Sequence, residues 1–374
     1  MNNTPFWTLK FLARRSWWGA LIWLLWLLPA QAVELRVAIR NSAQQVQIGS
    51  STPGVIRDSR GQTVMQLSEL EPLSVDETGG RLALDGRSRG QSNTFWLEPS
   101  NNGFVWIGDR WYRGRVKLIP SENGVTAVNY VNIDDYLYSV VGSEMPTSWP
   151  QEALRSQAIA ARSYALYHQR KASGRTFDLN STQYSQVYKG IQGEAPSTQT
   201  AVDTTRGKVL THGGRVIEAV FHSSSGGHTE NSEHVWSKAI PYLQGVPDFD
   251  QNAPVYSWRT QFSLAEVGNR IGYPGTIEAV EVLSRSPQGR AKRMTIIGDA
   301  GTLTMTGNTF RQKLGLRSTK FDLAVSLEGI SVAGNGFGHG IGMSQWGARG
   351  MAERGHDYDE ILTHFYRGTR LGSM

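Results

Sequence analysis

Residues 143–151 read Ser143-Glu144-Met145-Pro146-Thr147-Ser148-Trp149-Pro150-Gln151, and the sequence changes rhythm there. Downstream, Leu154, Ala158, Ala161 and Ala165 recur at i, i+4, i+7 and i+11, one helical face that is apolar and mostly small. Pro150 suits a first helical turn, and Ser148 with Gln151 has capping-box spacing. The pattern predicts a helix over about 151–171 that can lie very close to a sheet. Upstream, Leu35-Arg36-Val37-Ala38-Ile39, Phe95-Trp96-Leu97 and Phe104-Val105-Trp106-Ile107 alternate with period two between Gly, Asn and Ser, as half-buried antiparallel strands do. Val125 to Val141 reads as a further strand pair, placing Glu144 at a strand exit. The fold class is therefore α+β and β-rich, with antiparallel sheets and a few helices packed on them.

Further along, a helix-like stretch near Ser197–Thr205 precedes a hairpin, Gly207-Lys208-Val209-Leu210 and Val216 to Val220 around Gly213-Gly214. β-type runs return over 259–333, and the end is a glycine-rich loop into one helix, then another from Tyr358 to Phe365. The expected layout is a leader over 1–32, a β-rich N-terminal domain over 33–120, and a second domain over 121–374 containing the β-rich subdomain 259–333.

The 374 residues hold no cysteine, 41 glycines, 39% hydrophobic and 19% charged residues, so the chain is a folded protein rather than a disordered or collagenous one. Without cysteine, disulfide scaffolds, thiol catalysis and thiolate zinc sites are excluded, and any metal must use His or carboxylate. The net charge of +6 is dispersed, and Lys10, Arg14 and Arg15 contribute three of the positive charges, which argues against a nucleic-acid partner. Those residues open an export signal: a basic stretch, an apolar core from Trp17 to Leu28, and an A-x-A pattern at Ala30 and Ala32. Cleavage after Ala32 is expected, with retention as a membrane anchor the alternative; either way the rest is exported, to the periplasm or cell wall. Arg14-Arg15 also fits a twin-arginine signal, so the export route stays open.

Three clusters bear on chemistry. Glu144 is flanked by Met145, Pro146 and Trp149, whose apolar surroundings would raise its pKa, while a following helix N-terminus would lower it. Phe221-His222-Ser223-Ser224-Ser225-Gly226-Gly227-His228 runs on to His234; it lacks the G-x-S-x-G elbow of a serine hydrolase, but its three histidines suit Zn²⁺ in principle. Gly338-His339-Gly340-Ile341-Gly342-Met343-Ser344-Gln345-Trp346-Gly347 lacks the nucleotide-binding register and reads as a rigid loop presenting His339 and Gln345, or as a tight crossover. Arg162 on the helix reads first as a solvated surface charge.

Val141-Gly142-Ser143-Glu144-Met145-Pro146, Ala158 to Tyr164, the Phe221–Gly227 run and Gly338 to Ala348 together resemble the SpoIID/LytB (stage II sporulation protein D) family, in the right order over about 120–371. The resemblance implies a peptidoglycan lytic transglycosylase with a glycan-binding cleft, acting on strands stripped of stem peptides by an N-acetylmuramoyl-L-alanine amidase, with Glu144 as the acid/base. It places Arg162, Tyr164, Gln186, Tyr188, Ser223, Ser224, Ser225, His339 and Gln345 along the glycan. Some family members look like zinc proteins using one His and two Cys; here His222, His228 and His234 would have to serve, although the chemistry requires no cofactor. The alternative reading is a non-catalytic wall-binding modifier that stimulates the amidase. Sporulation itself does not follow.

Overall fold

The computed structural model describes residues 33–88, 92–326 and 329–374, and the predicted export signal lies outside them. The long strand Glu34–Ala43 pairs antiparallel with Gly124–Asn132, which pairs with Arg115–Ser121; Phe95–Pro99, Gly54–Asp58 and Thr63–Leu67 extend the sheet to one side, and the short parallel strand Leu179–Asn180 closes the other. A six-stranded antiparallel sheet built on Gln45–Ser50 and Leu73–Thr78 packs on it. Leu35, Val37, Val46, Ile48, Ile56, Val75, Leu97 and Val116 alternate inward and are buried, as the period-two reading requires. The hairpin 115–132 belongs to this sheet, so the sheet runs straight across the boundary expected at residue 120, and Glu34–Met374 forms one unit.

The predicted second strand of the Val125–Val141 pair is instead a helix, α1 (Ile133–Glu144). Ile133, Tyr136, Leu137, Val140 and Val141 are buried at i, i+3, i+4, i+7 and i+8, and Asn132 caps the start by accepting from the Asp134 N–H at 2.8 Å. The β-branched pair at its end disguises that period. α2 (Gln151–Lys171) has the expected bounds, but its N-cap is Pro150 and no side chain caps it, so the Ser148–Gln151 capping box does not form. Its small face, buried at Ala153, Ala158, Ala161 and Ala165, lets α3 (Pro196–Thr204) approach closely.

After the short helix α4 (Ser232–Val235), residues 257–335 make two three-stranded antiparallel sheets with α5 (Leu264–Ile271) and α6 (Gly307–Leu314), and fill their own core with Val267, Met294, Ile296, Phe310, Ile330 and Val332. α7 (Gln345–Ala352) and α8 (Tyr358–Phe365) then return to α2. Among the described residues no helix is long and apolar enough to cross a membrane.

Candidate active site

Two segments far apart in sequence meet through a parallel pairing of Phe221–His222 with Met343–Ser344. Gly342 lies at φ +69°, and a Cβ there would stand 2.2 Å from the Val220 carbonyl oxygen, so the approach requires glycine. Ser224 and Phe337 exchange backbone hydrogen bonds of 3.0 and 2.7 Å beside it. Between this junction, the C-terminal end of α1 and the irregular segment 181–189 opens a cavity of about 460 Å³.

Glu144, the last residue of α1, enters the cavity wall and accepts a 2.8 Å hydrogen bond from the Val187 N–H through Oε1. Burial pushes its pKa above the ordinary carboxylate range, against the opposing pull of the Val187 N–H, the Gln345 amide and the charge of Lys189. The expected helix N-terminus is not its neighbour: Glu144 stands at a helix C-terminus, whose partial negative charge also disfavours the anion. Trp149 and Trp346 pack edge to face at 4.8 Å with the Arg349 guanidinium over both rings, which fixes the chain after Glu144 against α7.

Of the residues that the resemblance places along the glycan, Tyr164, Ser223, His339 and Gln345 line the same cavity. His339 donates from Nε2 to the Phe221 carbonyl and accepts from the Ile341 N–H at Nδ1; burial pushes its pKa down to about 4, so it presents a neutral ring. Gln345 is buried, and its amide nitrogen makes no regular hydrogen bond of its own.

Five other expected ligands do not reach the cavity. Arg162 is wholly buried and pairs with Asp134 at 3.1 Å, so it is neither a surface charge nor a groove residue. Gln186 turns inward between the lining residues Ser185 and Val187 and bonds Tyr136 Oη at 3.1 Å. Tyr188 stacks between Tyr112 and Tyr136 and donates to Asn129. Ser224 and Ser225 are buried and donate to Asp250 and Asp248.

The zinc set does not form either. His222 donates from Nδ1 to the Ile341 carbonyl at 3.1 Å, leaving Nε2 without a partner, while His228 Nδ1 lies 2.6 Å from the carbonyl of its neighbour Thr229. Among the described residues no three His, Asp or Glu side chains converge to hold an ion, so His222, His228 and His234 do not fit a bound zinc.

The lining residues that sequence reading missed include five with aromatic or charged side chains. Tyr184, Trp236 and Phe337 expose 85, 40 and 43% of their surface here, half of the six large, well-exposed hydrophobic side chains among the described residues. Glu218 is a second carboxylate, held below the ordinary range chiefly by His168, whose Nε2 is 3.1 Å away. Arg311 comes from α6. A stretch of aromatics between turn residues signals a strand core as readily as a platform, so only the assembled cavity reveals them.

A sequence family described as stage II sporulation protein matches residues 121–212, and a domain of unknown function matches 232–342. Stage II sporulation protein D of Bacillus subtilis is 34% identical over 66% of this chain and 76% of its own length. This chain belongs to the stage II sporulation protein D family. An uncharacterized Brachyspira hyodysenteriae protein is 37% identical over 82% of this chain and 84% of its own length. An amidase enhancer of Bacillus subtilis is 30% identical over 63% of this chain, which spans only 40% of that relative. The family match begins inside the first sheet and includes Glu144 and Arg162, so in this SpoIID-family chain the cavity carboxyl at the end of α1 and the buried arginine paired with Asp134 at its start lie in one matched segment.

Proposed function

We propose that this protein is a cell-wall enzyme, a lytic transglycosylase that cleaves the MurNAc–GlcNAc β-1,4 bond of peptide-stripped glycan strands. The observation that supports the reading best is a half-buried carboxyl group with a raised pKa in a cavity lined by three exposed aromatic side chains. Aromatic faces suit the apolar faces of sugar rings, and a carboxyl group whose pKa is raised holds its proton to higher pH than an ordinary carboxylate, which suits general acid catalysis.

Protonated Glu144 donates its proton to the glycosidic oxygen as the C1–O bond breaks, and GlcNAc leaves with a free 4-hydroxyl. The resulting carboxylate takes the proton of the MurNAc 6-hydroxyl while O6 bonds to C1, closing a 1,6-anhydro ring. Glu144 ends as it began and no water is consumed, so one acid/base is sufficient where hydrolysing glycosidases use two carboxylates. Glu218 supplies negative charge to the same cavity, which favours the oxocarbenium-like transition state. Ser223 and Gln345 offer polar atoms for hydroxyl and N-acetyl groups, and His339, whose two nitrogens are taken by backbone, offers its ring face.

The relative named amidase enhancer favours a second reading, in which the same cavity holds a strand without cutting it and the protein assists an N-acetylmuramoyl-L-alanine amidase. Export to the cell wall belongs to both readings. Mass spectrometry of peptide-free strands incubated with the purified protein, and with Glu144→Gln, separates them. Anhydro-MurNAc ends from the parent alone are expected; strand binding with no cleavage by either protein would favour the enhancer.

A further inference from the structure

α6 is seated on the 257–335 core by Phe310 and Leu314 and capped by Thr306, which accepts from the Thr309 N–H at 3.0 Å. That seating turns Arg311 toward the cavity. Its Nε donates to the Leu316 carbonyl at 3.1 Å, fixing the plane of the guanidinium, and its two terminal nitrogens meet no hydrogen-bond or ion-pair partner among the described residues. The group is half-buried, and no acid stands close enough to offset the burial that pushes its pKa down. The cavity thus holds both signs of charge, the carboxyl groups of Glu144 and Glu218 and the unneutralised guanidinium of Arg311, whose charge also acts on neutral His339. A partly desolvated cation with two free donors is a receptor for a carboxylate, which it can bind bidentately.

Resting on the glycan reading above, we propose that Arg311 is the residue that selects strands stripped of their peptides, by pairing with the lactyl carboxylate of MurNAc. On a strand that carries stem peptides, the lactyl carbonyl is tied up in a neutral amide with the first amino acid. Removal of the peptide exposes a carboxylate at each MurNAc, the one anionic group on an otherwise neutral chain. Arg311 distinguishes the two states by charge, and its fixed Nε sets the side from which the sugar enters relative to Glu144. The selecting residue therefore comes from the 232–342 segment, which matches the domain of unknown function, while the acid comes from the segment matching the sporulation family.

The test measures binding by the full chain carrying Glu144→Gln, so that no strand is cut. Three ligands are titrated: peptide-free GlcNAc–MurNAc oligosaccharides, the same oligosaccharides with lactyl carboxyls converted to methylamides, and GlcNAc oligomers without lactyl groups. The acid is expected to bind roughly ten- to hundredfold more tightly than the amide, the range of a charge-assisted contact. Adding Arg311→Gln should abolish that preference, Arg311→Lys should keep part of it, and the GlcNAc oligomers should bind equally to all. Equal weakening of all three ligands by Arg311→Gln would make the arginine merely structural and overturn the proposal. Equal binding of acid and amide by the Glu144→Gln chain would overturn it while leaving the glycan reading intact; no binding of any saccharide would bring both down.

Discussion

Glu144 reaches the cavity from the end of α1 with one hydrogen bond to its carboxyl and burial against it, and its raised pKa links its protonation to the stability of the fold. In the unfolded chain the group ionises near 4.5; in the folded one it ionises at higher pH. Its stabilising contribution is therefore fully present below about pH 4.5 and is lost as pH rises through the folded value. Glu144→Gln is neutral at every pH and escapes that loss. Thermal midpoints of the two proteins should coincide in acid and separate toward neutral pH, with Glu144→Gln the more stable. A variant that is less stable at neutral pH would show that the carboxylate, not the acid, is the form the fold prefers. Glu144 stood out in the sequence because a glutamate among Met145, Pro146 and Trp149 poses the question of its charge, and its burial at the end of α1 gives the direction of its pKa. Tyr184, Trp236 and Phe337 did not, since no local pattern records which aromatics stay uncovered.

Among the elements, α2 is held by a clamp that a helical-wheel reading assigns to solvent. Arg162 NH1 donates to the carbonyls of Thr205 and Lys208 at 2.9 and 3.2 Å, and NH2 to Val202 at 3.3 Å and Asp134 at 3.1 Å, joining α1, the end of α3 and the strand Lys208–His212. Arg162→Met leaves three carbonyls and a carboxylate without that donor. Because Asp134 keeps Arg206 at 3.3 Å, the cost should lie at the low end for a broken buried pair, about 3 kcal/mol. Denaturant unfolding reads that loss, while saccharide affinity of the folded variant should stay within about twofold of the parent, since the side chain does not line the cavity. Unchanged stability with lost binding would return Arg162 to the glycan. Helices with small or regular apolar faces, 151–171 and 358–365, were readable to the residue. α1 was not, because Val140 and Val141 favour strands in isolation and only burial against the first sheet and α2 decides for the helix.

At the scale of the whole molecule, the order of the motifs was visible in the sequence, but their meeting was not, since it depends on a parallel pairing between residues more than a hundred positions apart. Arg290 shows how the 257–335 region takes part in that meeting. It is buried, donates to the Ser225 carbonyl at 3.0 Å, and lies where a Cβ on Gly340 would be 2.0 Å from its NH2, so it touches both loops that lead into the cavity. Its Nε and NH1 have no hydrogen-bond partner, burial lowers its pKa to about 10, and buried Glu230 supplies the largest opposing charge. Two buried opposite charges that act on each other without direct contact are a poor way to stabilise a core, because the desolvation of both groups offsets their attraction. Its retention makes sense if the guanidinium positions the Ser225 and Gly340 loops. Arg290→Met alone should cost about 3–5 kcal/mol, chiefly because Glu230 is left buried without its counter-charge. Combining it with Glu230→Gln removes both charges and should recover most of that loss in urea unfolding, yet on the glycan reading strand cleavage should remain at least tenfold down, because the two loops are then joined by backbone contacts only, without the guanidinium packed between Ser225 and Gly340. Recovery of cleavage along with stability in the double variant would reduce Arg290 to a partner for Glu230 and leave the alignment of the cavity to the Phe221–Met343 pairing alone.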